Sequence, residues 1–168
     1  MNKAAREQPL PAATVEIIVR SPLWNIHRGV KGLLRRAVAE AACATKKAGE
    51  LAIVLTDDES IRTMNRRWRR KDRPTNVLSF PSARSARSEV ERRRGTHRLL
   101  GDIVIAYQTT AREAEAECKP FNHHVAHLAV HGFLHLLGYD HQSAAEAKAM
   151  ERLEVAVLAG LRVPNPYI

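Results

Sequence analysis

The segment HGFLHLLGYDH sets two histidines, His131 and His135, four residues apart, follows them with Gly138 and ends on a third, His141. On a helix, residues four apart project from one face about one turn from each other, the separation a tetrahedral metal ion needs from two imidazoles. Gly138 can take the positive φ that ends a helix and reverses the chain, and the return lets His141 meet the same ion. Ordinary helix histidines would account for any one of these residues, but not for the ligand set and the reversal together.

Three protein ligands leave one coordination position open, the arrangement of catalytic zinc, where a bound water has its pKa brought toward neutral. A structural zinc site normally wants a fourth protein ligand, and no cysteine lies nearby. Asp140 is a candidate for that place or, alternatively, for an acceptor that fixes an imidazole tautomer. His127, four residues before His131, extends the same face; together with His123 and His124 it is expected to be exposed or to sit behind the ligands.

The spacing equals that of H-E-x-x-H-x-x-G-x-x-H metallopeptidases, yet the position of their general-base glutamate is held here by Gly132. Peptide hydrolysis by that route loses its base. A phosphodiester needs less from such a base when a metal activates water and a nearby cation stabilises the transition state.

The remaining chain reads as alternating elements. Val15, Ile17 and Val19 alternate as a half-buried strand from Thr14; apolar residues from His27 to Lys47 recur at three and four as a helix closed by Gly49; ELAIVL at 50–55 reads as a second strand. Thr56 with Glu59 forms a capping-box pattern, predicting a helix from Asp57 to about Trp68 with Ile61 and Met64 inward. The basic RRKDRPT reads as a loop into the strand NVLSF, stopped by Pro81. Residues 82–98 lack an apolar period and are expected to be an arginine-rich surface loop before the strand LLGDIVIA. Helices follow at about Gln108–Cys118, Phe121–Leu137 and Ala144–Ala159. The pattern predicts an α+β domain over 14–168, a small mixed four-stranded sheet packed with helices, after a loose tail at 1–13.

With 168 residues, one domain is expected. Lys and Arg number 27 against 18 Asp and Glu, a formal net charge of +9, which attracts polyanions ahead of acidic peptides. Cys43 and Cys118 form neither a disulfide framework nor a CxxC motif and are expected to be buried thiols. The amino terminus lacks the apolar core of a signal peptide, and no apolar run is long enough to span a bilayer; a cytoplasmic location without a membrane partner is expected.

HGFLHLLGYDH, preceded by MNRRWRRKDRPTNVLSFP and LLGDIVIA, resembles the YbeY family of bacterial endoribonucleases over roughly residues 50–160. The resemblance implies a zincin-like α+β fold, one zinc ion per chain on His131, His135 and His141, and single-strand endoribonuclease activity in maturation of the 16S rRNA 3′ end and ribosome quality control. The implied partners are single-stranded RNA, the small ribosomal subunit and its associated proteins. The family's functional arginine falls on Arg69, whose planar, permanently charged fork also suits a phosphate oxygen. Arg66, Arg67, Arg70, Lys71 and Arg73 around it supply background field or, alternatively, offset the helix dipole. Trp68, ending an amphipathic helix, is expected in the core, the alternative being stacking on a base. Asp102 is open between lining the cleft and starting a strand. Two competing functions stand beside the nuclease: a non-catalytic, zinc-stabilised ribosome assembly factor and a metallopeptidase.

Overall fold

The computed structural model describes residues 13–83 and 98–168. The tail expected at 1–13 and the arginine-rich loop expected at 82–98 fall almost wholly outside the described residues.

LLGDIVIA is nearly continuous in apolar residues, the pattern of a strand covered on both faces, and it forms an interior strand. The sheet consists of β1 (Thr14–Val19), β2 (Glu50–Thr56), β3 (Val77–Pro81) and β4 (Leu99–Ala106) in the order β1-β2-β4-β3. β1 and β4 run parallel to β2, and β3 returns antiparallel to β4. The expected α+β architecture with a mixed four-stranded sheet is therefore observed.

The helices divide between the two faces. Alternation sends Leu51, Ile53 and Leu55 of β2 and Ile103 and Ile105 of β4 to one face, where they share a core with Leu34 and Val38 of α1 (Val30–Thr45) and Val125, Phe133 and Leu134 of α4 (Phe121–Leu136). Val15, Ile17 and Val19 join this core, as their alternation implied. On the opposite face a smaller cluster of Ile61, Leu78, Val104 and Ala106 holds α2 (Asp58–Arg69), with Met64 and Phe80 packed beside it. Asp58 fastens the start of α2 to α3 (Tyr107–Ala116): its Oδ1 accepts from the Thr109 amide at 2.9 Å and hydroxyl at 2.8 Å. α5 (Ala144–Gly160) completes the chain, and Ser143 and Glu146 cap it reciprocally.

Several local expectations are corrected. Thr56 does not cap α2. It is the buried last residue of β2, and the cap is Asp57, whose side chain accepts from the Ser60 amide. α1 starts at Val30, because Pro22–Ile26 wind into a 3-10 turn that buries Trp24, whose indole N–H donates to Thr56 O at 2.8 Å. It ends on Lys46 at φ 53°, ahead of Gly49. Cys43 and Cys118 are exposed free thiols rather than buried ones. Trp68 is 64% exposed, not in the core.

At the start of β4 the register with β2 slips, so that Leu51 pairs with Gly101. Gly101 has φ +134°, and a Cβ there would lie 2.1 Å from the Phe80 carbonyl oxygen. Both the backbone conformation and the contact exclude a side chain. Gly101→Ala is expected to destabilise the fold by on the order of 3 kcal/mol, measured by urea unfolding; an unchanged midpoint would mean that the bulge relaxes freely.

Candidate metal centre

α4 buries Val125, Ala126, Ala129, Val130, Phe133 and Leu134 and leaves His127, His131 and His135 half-buried along another face. The helix sits close on the sheet at Gly132: a Cβ there would lie 2.8 Å from Ile103 Cγ2 and 3.2 Å from Ser79 Oγ. Ser79 Oγ donates to Gly132 O at 3.2 Å. Position 132 thus faces packed protein and has no room for a carboxylate, which accounts physically for the missing peptidase glutamate.

After Leu136 the chain reverses as expected. Gly138 adopts φ +92°, and the Tyr139 amide reaches back to Leu134 O at 3.1 Å. The turn returns His141 to the helix. One ring nitrogen from each of His131, His135 and His141 lies within 4.8 Å of the others. His131 Nε2 and His135 Nε2 are 3.1 Å apart, close to the roughly 3.3 Å between two imidazole nitrogens that each bind a tetrahedral zinc at about 2.0–2.1 Å. The donor set fits a borderline metal ion, and His141 is exposed, so the point of convergence is open to solvent. Burial pushes the His135 imidazole pKa down, and His131 and His141 push it the same way, so its lone pair is available near neutral pH.

Glu154, on α5, is the residue that reading the sequence missed. It is fully buried, and its Oε1 accepts from His131 Nδ1 at 2.7 Å. Its Oε2 accepts from Tyr167 OH and lies 3.3 Å from His127 Nε2. Burial pushes this carboxyl up, but the hydrogen bonds from His127, His131 and Tyr167 outweigh it and hold the group at about 2. An ionised carboxylate is only an acceptor, so His131 carries its proton on Nδ1 and turns the Nε2 lone pair toward His135. The carboxylate-histidine pairing that commonly orients metal ligands is thus built in. His127, His131 and Glu154 form a second close group of donor atoms sharing His131.

Asp140 does something different from either expectation. Its Oδ1 accepts from the His141 amide at 2.8 Å and its Oδ2 from Gln142 Nε2 at 2.6 Å, so it braces the turn that carries His141. The His141 amide is the main cause of its lowered pKa. His124 is buried 2.8 Å from Glu113, which also accepts from Asn76 Nδ2. Asp102 is exposed in mid-strand and pairs with Phe80, so it emerges on the α2 face, away from the histidines.

Arg69 is the exposed last residue of α2, and no hydrogen bond or ion pair among the described residues joins it to the three histidines. The end of α2 and the histidine helix are related through β3. Asn76, just before β3, meets His124 through Glu113, and Ser79 meets Gly132, so α4 runs alongside β3 in the same direction. Phe80 touches Trp68 on the other face. The end of α2 and the histidine helix at Gly132 therefore meet neighbouring residues of β3, an edge strand among those described.

Glu154→Gln, which keeps the shape but lets the side chain donate, is expected to weaken Zn2+ binding 10- to 100-fold in a competition titration. The carboxyl pKa is depressed in the folded state, so its contribution to the metal-free protein is present above the ordinary value near 4.5 and is lost as pH falls toward 2. Acid unfolding of the variant should lack that component; identical metal affinity and acid profiles would remove the orienting role.

Comparison with known proteins places the chain in a family. A family model described as endoribonuclease YbeY matches residues 20–162. Endoribonuclease YbeY of Rhodopseudomonas palustris (strain BisA53) is 48% identical over 161 residues, covering 94% of this chain and 91% of that protein. Its counterpart from Nitrobacter winogradskyi is 50% identical over 183 residues, covering 99% and 95%. The solution structure of TM1509 from Thermotoga maritima superposes with a TM-score of 0.53 at 21% identity, covering 89% of this chain and 92% of that one, a likeness of fold. Half-identical relatives along nearly the whole length, together with the family model, establish that this chain belongs to the endoribonuclease YbeY family.

Proposed function

We propose that the protein is a zinc-dependent, single-strand endoribonuclease of the cytoplasm that matures rRNA at the 16S 3′ end, in contact with the small ribosomal subunit, and serves ribosome quality control. The observation that carries the reading is the convergence of three imidazoles, one oriented by a buried carboxylate, on a point open to solvent. Family membership supports RNA as the substrate and hydrolysis as the reaction. The net charge of +9 supports a polyanionic partner, and no helix among the described residues is long and apolar enough to cross a membrane.

In this reading His131, His135 and His141 hold one zinc ion, which supplies Lewis acidity toward water and a phosphoryl oxygen when bound. Glu154 keeps the His131 proton on Nδ1, and Asp140 holds the turn that presents His141. Arg69 grips a phosphate oxygen and stabilises the negative charge that accumulates as the phosphodiester is attacked. Gly132 leaves no place for the glutamate on which peptide hydrolysis at this ligand spacing depends, so a peptidase reading lacks its base.

The test pairs metal analysis with cleavage of a single-stranded rRNA fragment. Wild type is expected to carry about one zinc per chain and to cut the fragment. His135→Ala should lose both, and chelation should stop cleavage reversibly. Arg69→Ala should keep its zinc and cleave on the order of 100-fold more slowly. Full activity in Arg69→Ala would remove the arginine from the reaction; zinc without cleavage in wild type would favour a non-catalytic assembly factor.

A further inference from the structure

Trp68 lies in the last turn of α2, and its ring is seated although it is largely exposed. It meets Phe80 of β3 edge-to-face, at 6.0 Å between centroids and 66° between planes. The Arg67 guanidinium lies over the Trp68 ring, 5.4 Å from its centroid. A single exposed apolar side chain is ordinary; this one stands inside a run of cations. Arg66, Arg67, Arg69, Arg70, Lys71 and Arg73 are all exposed, and none of them holds an ion pair among the described residues.

We propose that Trp68 is a base-stacking platform, its largely exposed ring receiving an unpaired base of a single-stranded nucleic acid whose phosphates lie among the arginines around it. Charge complementarity selects a polyanion, and a seated aromatic ring selects one with flat π faces. An acidic peptide offers charge without such faces, and a duplex keeps its bases stacked inside. Trp68 packs on Phe80, and α4 meets the adjacent Ser79 at Gly132, one residue from His131 and three from His135, so a strand anchored on Trp68 starts beside the stretch of β3 that seats the histidine helix. The inference rests on the RNA reading above and adds to it the residue that anchors the strand.

The chain has two tryptophans. Trp24 is 2% exposed with its indole N–H bonded to Thr56 O, so a change of emission on binding reports on Trp68. The experiment titrates zinc-loaded protein with a short oligouridylate, an abasic strand of equal length and polyglutamate, and measures affinity and tryptophan emission. Oligouridylate is expected to quench the emission and the other two to leave it nearly unchanged. Trp68→Phe should bind oligouridylate within about threefold of wild type, and Trp68→Ala roughly 5- to 100-fold more weakly. In cleavage assays the loss in Trp68→Ala should appear in KM rather than kcat. Equal affinity in Trp68→Ala, or equal quenching by the abasic strand or polyglutamate, would overturn the proposal. Quenching by oligouridylate in a wild type that cleaves nothing would keep the stacking site while removing the endoribonuclease reading; cleavage unaffected in Trp68→Ala would remove the stacking site alone.

Discussion

The seating of α4 on the sheet at Gly132 is the contact on which the site depends. Because the helix approaches until Ile103 and Ser79 leave no space for a Cβ at this position, its rotation about its own axis is fixed. The same rotation that sends Val130, Phe133 and Leu134 into the core carries His127, His131 and His135 along another face. A side chain at 132 would have to push the helix off the sheet and would move the imidazoles with it.

Seating the helix aims the histidines, but an imidazole on a half-buried face can still rotate and exchange tautomers. Glu154 removes that freedom for His131. A buried carboxylate is costly unless it is paired, and here three donors from α4 and the carboxy-terminal segment converge on it. The interaction that satisfies Glu154 also docks α5 on α4. Metal-site geometry and helix packing are thereby maintained by the same atoms, and Asp140 does the corresponding work for the turn that carries His141.

The triad could be read from the chain because its determinants are local: a helical spacing, a glycine with positive φ and a short return. The mixed sheet was legible for a related reason, since Val15, Ile17 and Val19 alternate and LLGDIVIA is apolar throughout its core-facing positions. Glu154 was not, because it stands 23 residues from His131 and nothing along α5 separates it from the other glutamates until the helices pack. Trp68 misled for a geometric reason: seven residues after Ile61 it lies on the same stripe of α2, but among the described residues it meets Phe80 of the edge strand β3 and the Arg67 guanidinium rather than the cluster that buries Ile61. Thr56 satisfied a capping pattern that β2 overran by extending through it, and Asp57 took the cap.

X-ray absorption at the zinc edge of the purified protein tests the central claim most directly, because it counts the atoms around the ion. The account predicts three imidazole nitrogens at about 2.0–2.1 Å and a further light-atom ligand from solvent, with the outer-shell signature of imidazole rings. Sulfur in the first shell, or a coordination sphere closed by four protein ligands, would contradict it.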